Sequence, residues 1–322
     1  MKTLITVSAA LVFGLSACKA QKKYDIKTAK TYAELSVKTD GKWENRKYIG
    51  GTVFKNVDKL KLAPEHTDHS FDIRYEGPGW ENNRIGYRLY LDWRNAIDIF
   101  GKKTSAIVLP QVGQDNFDSY HEMSDWGADI LKAGKGIGIG SIDRYLNNEK
   151  LHFHTVDSTI ANVENKANES KVIVKYYGWK TASDNIDFTT ELTTKPDQLY
   201  TEHKIKASKE IKGICTGIVK QKNTELLKKE SKNKKWAYLA TYGEQSLVPD
   251  KLGMAIFYEV SEVENVADTD LDYLIVFKPT TKAHSFYFLG AWEQEQNGIK
   301  SKEEFVKYLD QKLEVLNKKG KM

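Results

Sequence analysis

The residues best suited to chemistry fall in three short stretches. In Gly77-Pro78-Gly79-Trp80-Glu81-Asn82-Asn83-Arg84-Ile85-Gly86-Tyr87-Arg88 an acid, two adjacent amides, two arginines and a tyrosine open one strand-like run. In an extended chain Arg84, Gly86 and Arg88 share one face, and Ile85, Tyr87 and Leu89 the other. Two guanidiniums on one face either pair with acids such as Asp92 or clamp a carboxylate or sulfate bidentately. The second stretch, Tyr120-His121-Glu122-Met123-Ser124-Asp125-Trp126-Gly127-Ala128-Asp129, leads into Gly134-Lys135-Gly136-Ile137-Gly138-Ile139-Gly140-Ser141. That glycine run has neither the spacing of a dinucleotide loop nor the Lys-Ser/Thr of a P-loop. As a strand it would have one face bare of side chains, either a floor for a sugar ring or an accommodation to close sheet packing. The third stretch is Leu151-His152-Phe153-His154, whose histidines at i and i+2 project from the same sheet face. The pair suits catalysis or a divalent metal, but no third ligand is in view, so no full ligand set indicates a metal and no cofactor is assigned. His66-Thr67-Asp68-His69 reads as a solvated loop and His203 as a strand residue that could face the same cleft. Trp292, at the end of a late strand, reads as a sugar-stacking side chain or as core.

These residues need a scaffold, and most of the chain reads in period two. Phe71–Tyr75, Arg84–Tyr90, Val172–Tyr177, Phe188–Leu192 and Leu199–Ile205 are rich in β-branched and aromatic residues and bounded by Gly, Asn, Asp or Pro. Leu252–Tyr258, Tyr273–Lys278 and Ser285–Glu293 read as later core strands. Such segments recur too densely for crossover helices, which predicts an all-β fold, a large antiparallel β-sandwich, rather than a parallel α/β fold. Two places break the pattern, Ser124–Ala133 and the C-terminal tail. In the tail Ser301 and Glu304 form a capping box, and Phe305, Leu309, Leu313 and Leu316 follow with helical spacing. Lysines gather at its end, where they complement the helix dipole, so the tail is expected to be a surface helix.

The N-terminus carries Lys2 and then an apolar run from Leu4 to Leu15, which is the charge order of a secretory signal and too short for a permanent span. It closes with Leu15-Ser16-Ala17-Cys18, which resembles a lipobox. The expected organisation is a signal peptide over residues 1–18 with lipidation at Cys18, a linker over 19–28, and a single β-sandwich domain over 29–322. With Cys18 acylated, only Cys215 remains, so no intramolecular disulfide can stabilise the domain. Lys19 and Ala20 supply no aspartate retention signal, which favours an outer-membrane lipoprotein, taken to face the periplasm. The net charge of +5 rests largely on Lys220–Lys235, expected to be a solvated hairpin or loop. No nucleic-acid motif surrounds those lysines, and the excess charge fits an anionic substrate only weakly.

Gly79–Tyr90, Ala96–Lys103, Tyr120-His121 with Trp126–Asp129, and Trp292 with Gly298-Ile299 together resemble the domain-of-unknown-function family numbered 4861 over nearly the whole mature chain. That family is common in polysaccharide-utilisation loci of bacteria that digest plant and algal cell walls. The family's usual second histidine and glycine run after Tyr-His is replaced here by Glu122-Met123-Ser124-Asp125-Trp126-Gly127, which puts in doubt a site built on that histidine. The resemblance implies a sandwich related to the galactose-mutarotase-like supersandwich and action on oligosaccharides. Similarity to an ulvan oligosaccharide dehydratase implies, further, a carbon–oxygen lyase acting on a non-reducing-end uronic acid to give its 4,5-unsaturated form. Its partners would be an anionic oligosaccharide and other enzymes of a polysaccharide-degradation pathway. On that expectation Arg84, Arg88 or Asn82 neutralises the uronate carboxylate, with Glu81 and Trp292 as further substrate contacts. His121 or Tyr120 takes the C5 proton, and His154 or Tyr87 protonates the departing hydroxyl. A non-catalytic glycan-binding lipoprotein and a sugar epimerase or mutarotase remain the alternatives, because fold does not choose among them.

Overall fold

Along the strand His284–Trp292, Phe286 and Phe288 enter one apolar cluster while Tyr287, Leu289 and Ala291 enter another, so this strand is buried on both faces. The computed structural model describes residues 24–114, 119–248 and 250–322; the expected signal segment and Cys18 lie outside the described residues. His284–Trp292 is central to a nine-stranded antiparallel sheet. In spatial order its strands are Thr224–Glu230, Trp236–Glu244, Lys251–Glu259, His284–Trp292, Tyr200–Ala207, Asp184–Thr194, Glu169–Thr181, Ser158–Lys166 and Lys59–Lys61.

One face of this sheet meets two smaller sheets, and the other is partly covered by the only α-helix among the described residues. The first five-stranded sheet runs Thr31–Glu34, Gly79–Asn82, Ile85–Leu89, Ile97–Lys102, Gly127–Asp129, and the second Glu149–Leu151, Asp143–Leu146, Ile214–Val219, Asp272–Phe277, Val263–Asp268. Trp80, Tyr87 and Ile99 from the first, Ile218 and Ile275 from the second, and Val172, Leu192 and Phe288 from the large sheet form one continuous core. The helix Lys302–Lys319 lays Phe305, Leu309, Leu313 and Leu316 on the opposite face, beside Tyr238 and Phe257. Ser301 Oγ accepts from the Glu304 amide at 3.2 Å, which satisfies one of the helix's orphan donors as the capping box predicts. No helix among the described residues is long and apolar enough to cross a membrane.

The all-β class and the C-terminal helix are thus as expected, and the lysine-rich stretch supplies the first strand, Thr224–Glu230, of a hairpin completed by Trp236–Glu244. Three local expectations are corrected. Phe71–Tyr75 is not a strand, because Phe71 and Tyr75 take left-handed backbone angles and only Ile73 makes a bridge, to Val37. Ser124–Ala133 contains a short strand, Gly127–Asp129. The glycine run is not a bare strand: Gly138 and Gly140 have φ of 70° and 69°, and added Cβ atoms would stand 2.1 Å from the Ile97 carbonyl oxygen and 2.3 Å from the Phe288 ring. These glycines permit a close turn beneath the core rather than a sugar floor.

A buried ion pair holds the first sheet to the loop that follows it. Lys102 Nζ donates to Glu81 Oε2 at 2.5 Å and to the Asn82 carbonyl at 2.6 Å, while Glu81 Oε1 accepts the amides of Val108 and Leu109 at 2.8 and 2.7 Å. Burial pushes the Glu81 carboxyl up and the Lys102 amine down; the partner's charge opposes each shift. Lys102→Ala strands an ionised carboxylate in the interior and is expected to lower unfolding free energy by about 3–5 kcal/mol. Urea titration should show a lower midpoint with unchanged slope.

Candidate functional site

Arg88 stands on the central strand of the first sheet and is only 1% exposed. Its Nη2 donates to Asp129 at 2.6 Å, Asp98 at 3.1 Å and the Tyr90 hydroxyl at 2.5 Å, and its Nη1 donates to the Tyr120 hydroxyl at 2.8 Å. Glu76 lies 3.8 Å from Nη1. The Tyr90 ring is sandwiched between guanidiniums, Arg88 at 4.5 Å and Arg94 at 4.0 Å from its centroid. Arg94 in turn binds Asp68, Glu76 and Asp92. At the rim His121, 39% exposed at its side chain, places Nε2 3.4 Å from Asp129.

Carboxylates outnumber guanidiniums in this network, so it keeps protons rather than attracting an anion. Burial first, and then the Asp129 charge, pushes Asp98 up to about 7, against the pull of Arg88; burial likewise raises Glu76. The fold therefore brings Arg88, Tyr120 and His121 together, but not as a carboxylate clamp. Arg88 is enclosed and already carries its counter-charges.

The other expected site residues lie elsewhere. Arg84 turns away from Arg88 and pairs with Glu295 at 2.5 Å. Asn82 is fully buried, donating to Thr194 and to the carbonyls of Lys195 and Gln198 and accepting the Arg84 amide, so it shapes the strand turn. Glu81 is occupied by Lys102. Tyr87 stacks on Trp80 within the core, donates to the Leu199 carbonyl at 2.9 Å and accepts from the Gly290 amide at 3.0 Å; burial raises its phenol, so it cannot act as an exposed acid. Trp292 is buried with its indole N–H on Asp250. His203 does not face a cleft either: its Nδ1 contacts the Gly140 carbonyl at 2.8 Å, and burial lowers the imidazole to about 3.

His154 opens instead onto a cleft of ≈ 620 Å³ also lined by Trp93, His66, Asp92, Arg46 and Lys61. The His154 ring stacks on Trp93 with centroids 4.9 Å apart and planes 6° from parallel, and His152 meets the Trp93 edge at 5.1 Å. The i, i+2 spacing thus does place both histidines about one aromatic ring. His152 is oriented by the fully buried Asp143, 3.0 Å from Nδ1. Burial, and behind it the charge of His152, lowers His154 below the ordinary histidine value. The turn carrying Trp93 is fixed by Asn95, which donates to the Ile142 carbonyl at 3.0 Å and accepts from the Tyr176 hydroxyl at 2.5 Å.

His66 and Trp93 were not legible as site residues. His66 is buried rather than solvated, with Nδ1 2.9 Å from Asp72 and Nε2 without a hydrogen-bond partner. His69, Phe71, Tyr75 and Glu76, in the segment that follows, all have positive φ, a concentration of strained non-glycine backbone of the kind that gathers at functional sites. Ligand atoms of Asp68, His69 and Glu76 converge within 4.8 Å, but the Arg94 guanidinium binds both carboxylates and supplies the positive charge there. His154 and His152 are not joined by a third ligand in any such group among the described residues.

A family described as Domain of unknown function (DUF4861) matches residues 8–321. This chain belongs to that family. Among curated proteins, none matches the chain in sequence. Solved structures similar to this DUF4861 member include a candidate aldose 1-epimerase from Klebsiella pneumoniae, at 9% identity and TM-score 0.35 over 76% of this chain and 84% of that one. A TPR-domain containing protein from Parabacteroides distasonis aligns at 7% identity and TM-score 0.33, over 81% and 54% of the two chains. The 4-alpha-glucanotransferase from Thermococcus litoralis aligns at 12% identity and TM-score 0.32, over 70% and 38%. Scores of this size carry no function from one chain to the other.

Two titrations follow from the geometry. His154 should show an NMR midpoint below its ordinary value, and His152→Ala should move it upward by removing the neighbouring charge. Asp98, whose folded value lies above its unfolded one, stabilises the fold when protonated, and this contribution is lost as pH rises from about 4 through about 7. Urea midpoints measured from pH 4 to 8 should therefore fall more steeply in the native protein than in Asp98→Asn.

Proposed function

We propose that this protein is a carbohydrate-active enzyme that removes water from the terminal uronic acid of acidic, ulvan-like oligosaccharides, a carbon–oxygen lyase working in the Trp93–His154 cleft. The observation that carries this reading is the exposed imidazole of His154, shifted toward its neutral form and stacked on Trp93 in a cleft with Arg46 and Lys61 on its walls. A cleft of that volume falls in the range of roughly 300–1,000 Å³ that encloses small ligands, and an aromatic face suits a sugar ring. Asp92 and Asp157 also line the cleft but are paired with Arg94 and Lys180, so the charges of Arg46 and Lys61 support an acidic ligand.

The C5–H bond of a uronate becomes acidic only when its carboxylate charge is offset, which Arg46 and Lys61 supply in place of the enclosed Arg88. Neutral His154 accepts the C5 proton, the electron pair forms the C4=C5 double bond, and the C4–O bond breaks. The His154 imidazolium returns that proton to the departing hydroxyl, which leaves as water and restores the neutral base. His152, held by Asp143, keeps Trp93 and His154 in register and favours the neutral imidazole. On this reading the enzyme is an outer-membrane lipoprotein anchored through Cys18, facing the periplasm beside other enzymes of polysaccharide degradation.

Incubated with uronate-terminated oligosaccharides, the protein should raise near-ultraviolet absorbance while the substrate loses the mass of one water. His154→Gln should reduce the rate by at least about 10²-fold, the usual share of a general base. An absorbance rise with chain cleavage would make it a polysaccharide lyase. Saturable binding without product would make it a glycan-binding lipoprotein, and a change in optical rotation without absorbance an epimerase.

A further inference from the structure

The hairpin formed by Ser36–Glu44 and Lys47–Asn56 belongs to none of the larger sheets. It is docked on the segment that carries His66 and Asp72: Lys38 N donates to the Asp72 carbonyl at 2.8 Å and Tyr48 N to the Ser70 carbonyl at 2.7 Å. An irregularity in register between Thr39 and Gly41 interrupts the ladder, and a bulge of this kind bends a hairpin and re-aims its end. The tip is the two-residue turn Asn45-Arg46, with φ of 49° and 60°. Such a turn favours Asn-Gly, because both central residues must adopt the left-handed region. Asparagine is present at the first position, but the second is arginine, which fits that backbone poorly.

The side chain accounts for the unfavourable choice. Arg46 Nε donates to the Glu65 carbonyl at 3.2 Å and Nη2 to the His66 carbonyl at 3.0 Å, and Arg46 lines the cleft. Two carbonyls thus hold a long, exposed guanidinium at the cleft wall near Lys61, with Nη1 committed to neither. Neither carbonyl neutralises its charge, and among the described residues no carboxylate is paired with it, in contrast to Arg88 and Arg94.

We infer that the hairpin is the specificity element of the cleft and that Arg46 at its tip binds the carboxylate of the uronic acid. Resting on the proposed action on acidic oligosaccharides, this assigns the carboxylate contact chiefly to one residue, which itself transfers no proton. The planar fork of arginine suits a carboxylate better than a lysine point charge does, so Lys61 supplements rather than replaces it.

Calorimetric binding separates this inference from the proposed reaction. The ligands are a uronate-terminated oligosaccharide and the same oligosaccharide with its carboxyl reduced to an alcohol; the variants are Arg46→Gly, which suits the turn, Arg46→Gln and Arg46→Lys. Affinity of Arg46→Gly and Arg46→Gln for the uronate should fall roughly tenfold or more, the loss expected for one charged hydrogen bond, while affinity for the reduced ligand stays unchanged. Arg46→Lys should recover part of the loss. Wild-type affinity retained by both neutral variants would overturn the assignment of Arg46 while leaving the dehydratase standing. An equal loss for both ligands would overturn it too, since Arg46 would then shape the cleft without reading charge. Failure of the wild-type protein to bind either ligand would overturn the reading of the cleft and this inference together.

Discussion

A guanidinium enclosed in a protein interior must find its counter-charges there, and Arg88 is the constraint around which this side of the molecule is arranged. Asp98 reaches it from the neighbouring strand and Asp129 from the strand beyond, Glu76 from the strained turn, and Tyr120 from a short 3-10 turn. Glu76 also binds Arg94, and Arg94 binds Asp92 beside Trp93. The interactions that satisfy Arg88 therefore extend to the turn that presents Trp93 and to the segment between His66 and Glu76, which together form one wall of the cleft. Packing of the first sheet against the nine-stranded sheet fixes where this network stands; the network fixes how its loops face outward.

The same arrangement separates two kinds of positive charge. Arg88 and Arg94 are surrounded by carboxylates and serve the fold, whereas Arg46 and Lys61 stand on the cleft wall without paired acids among the described residues. Burial raises the Asp98 carboxyl to about 7 and raises Glu76 as well, which moderates the negative charge beneath a site proposed for an acidic substrate. His154 lies apart from this acidic network, against Trp93 and His152, where burial and a neighbouring cation favour its unprotonated form.

Period-two patterning made the strands of the large sheet legible, because Val172, Leu192, Phe286 and Phe288 must alternate into a core whatever the topology. The capping pair Ser301 and Glu304 marked the helix start for an equally local reason. Spacing also showed that His152 and His154 would share a surface. It did not show which arginine is solvated: Arg84 and Arg88 look equivalent along the chain, but their partners Glu295, Asp98 and Asp129 are distant in sequence or on other strands. Tyr87 and Trp292 carry polar atoms that suggest chemistry, yet those atoms satisfy backbone or buried-acid partners inside the core. His66 and Trp93 sit in irregular loops, where periodicity gives no orientation. The unusual backbone of His69, Phe71 and Tyr75 follows from tertiary contacts and is invisible in composition.

The central claim is the location of the sugar site, and the most direct measurement is a crystal structure of the inactive His154→Gln protein with a uronate-terminated oligosaccharide. The account predicts the terminal ring over Trp93, its C5 facing residue 154 and its carboxylate against Arg46 and Lys61. An oligosaccharide seated instead at Tyr120 and His121, with the Trp93 cleft empty, would contradict it.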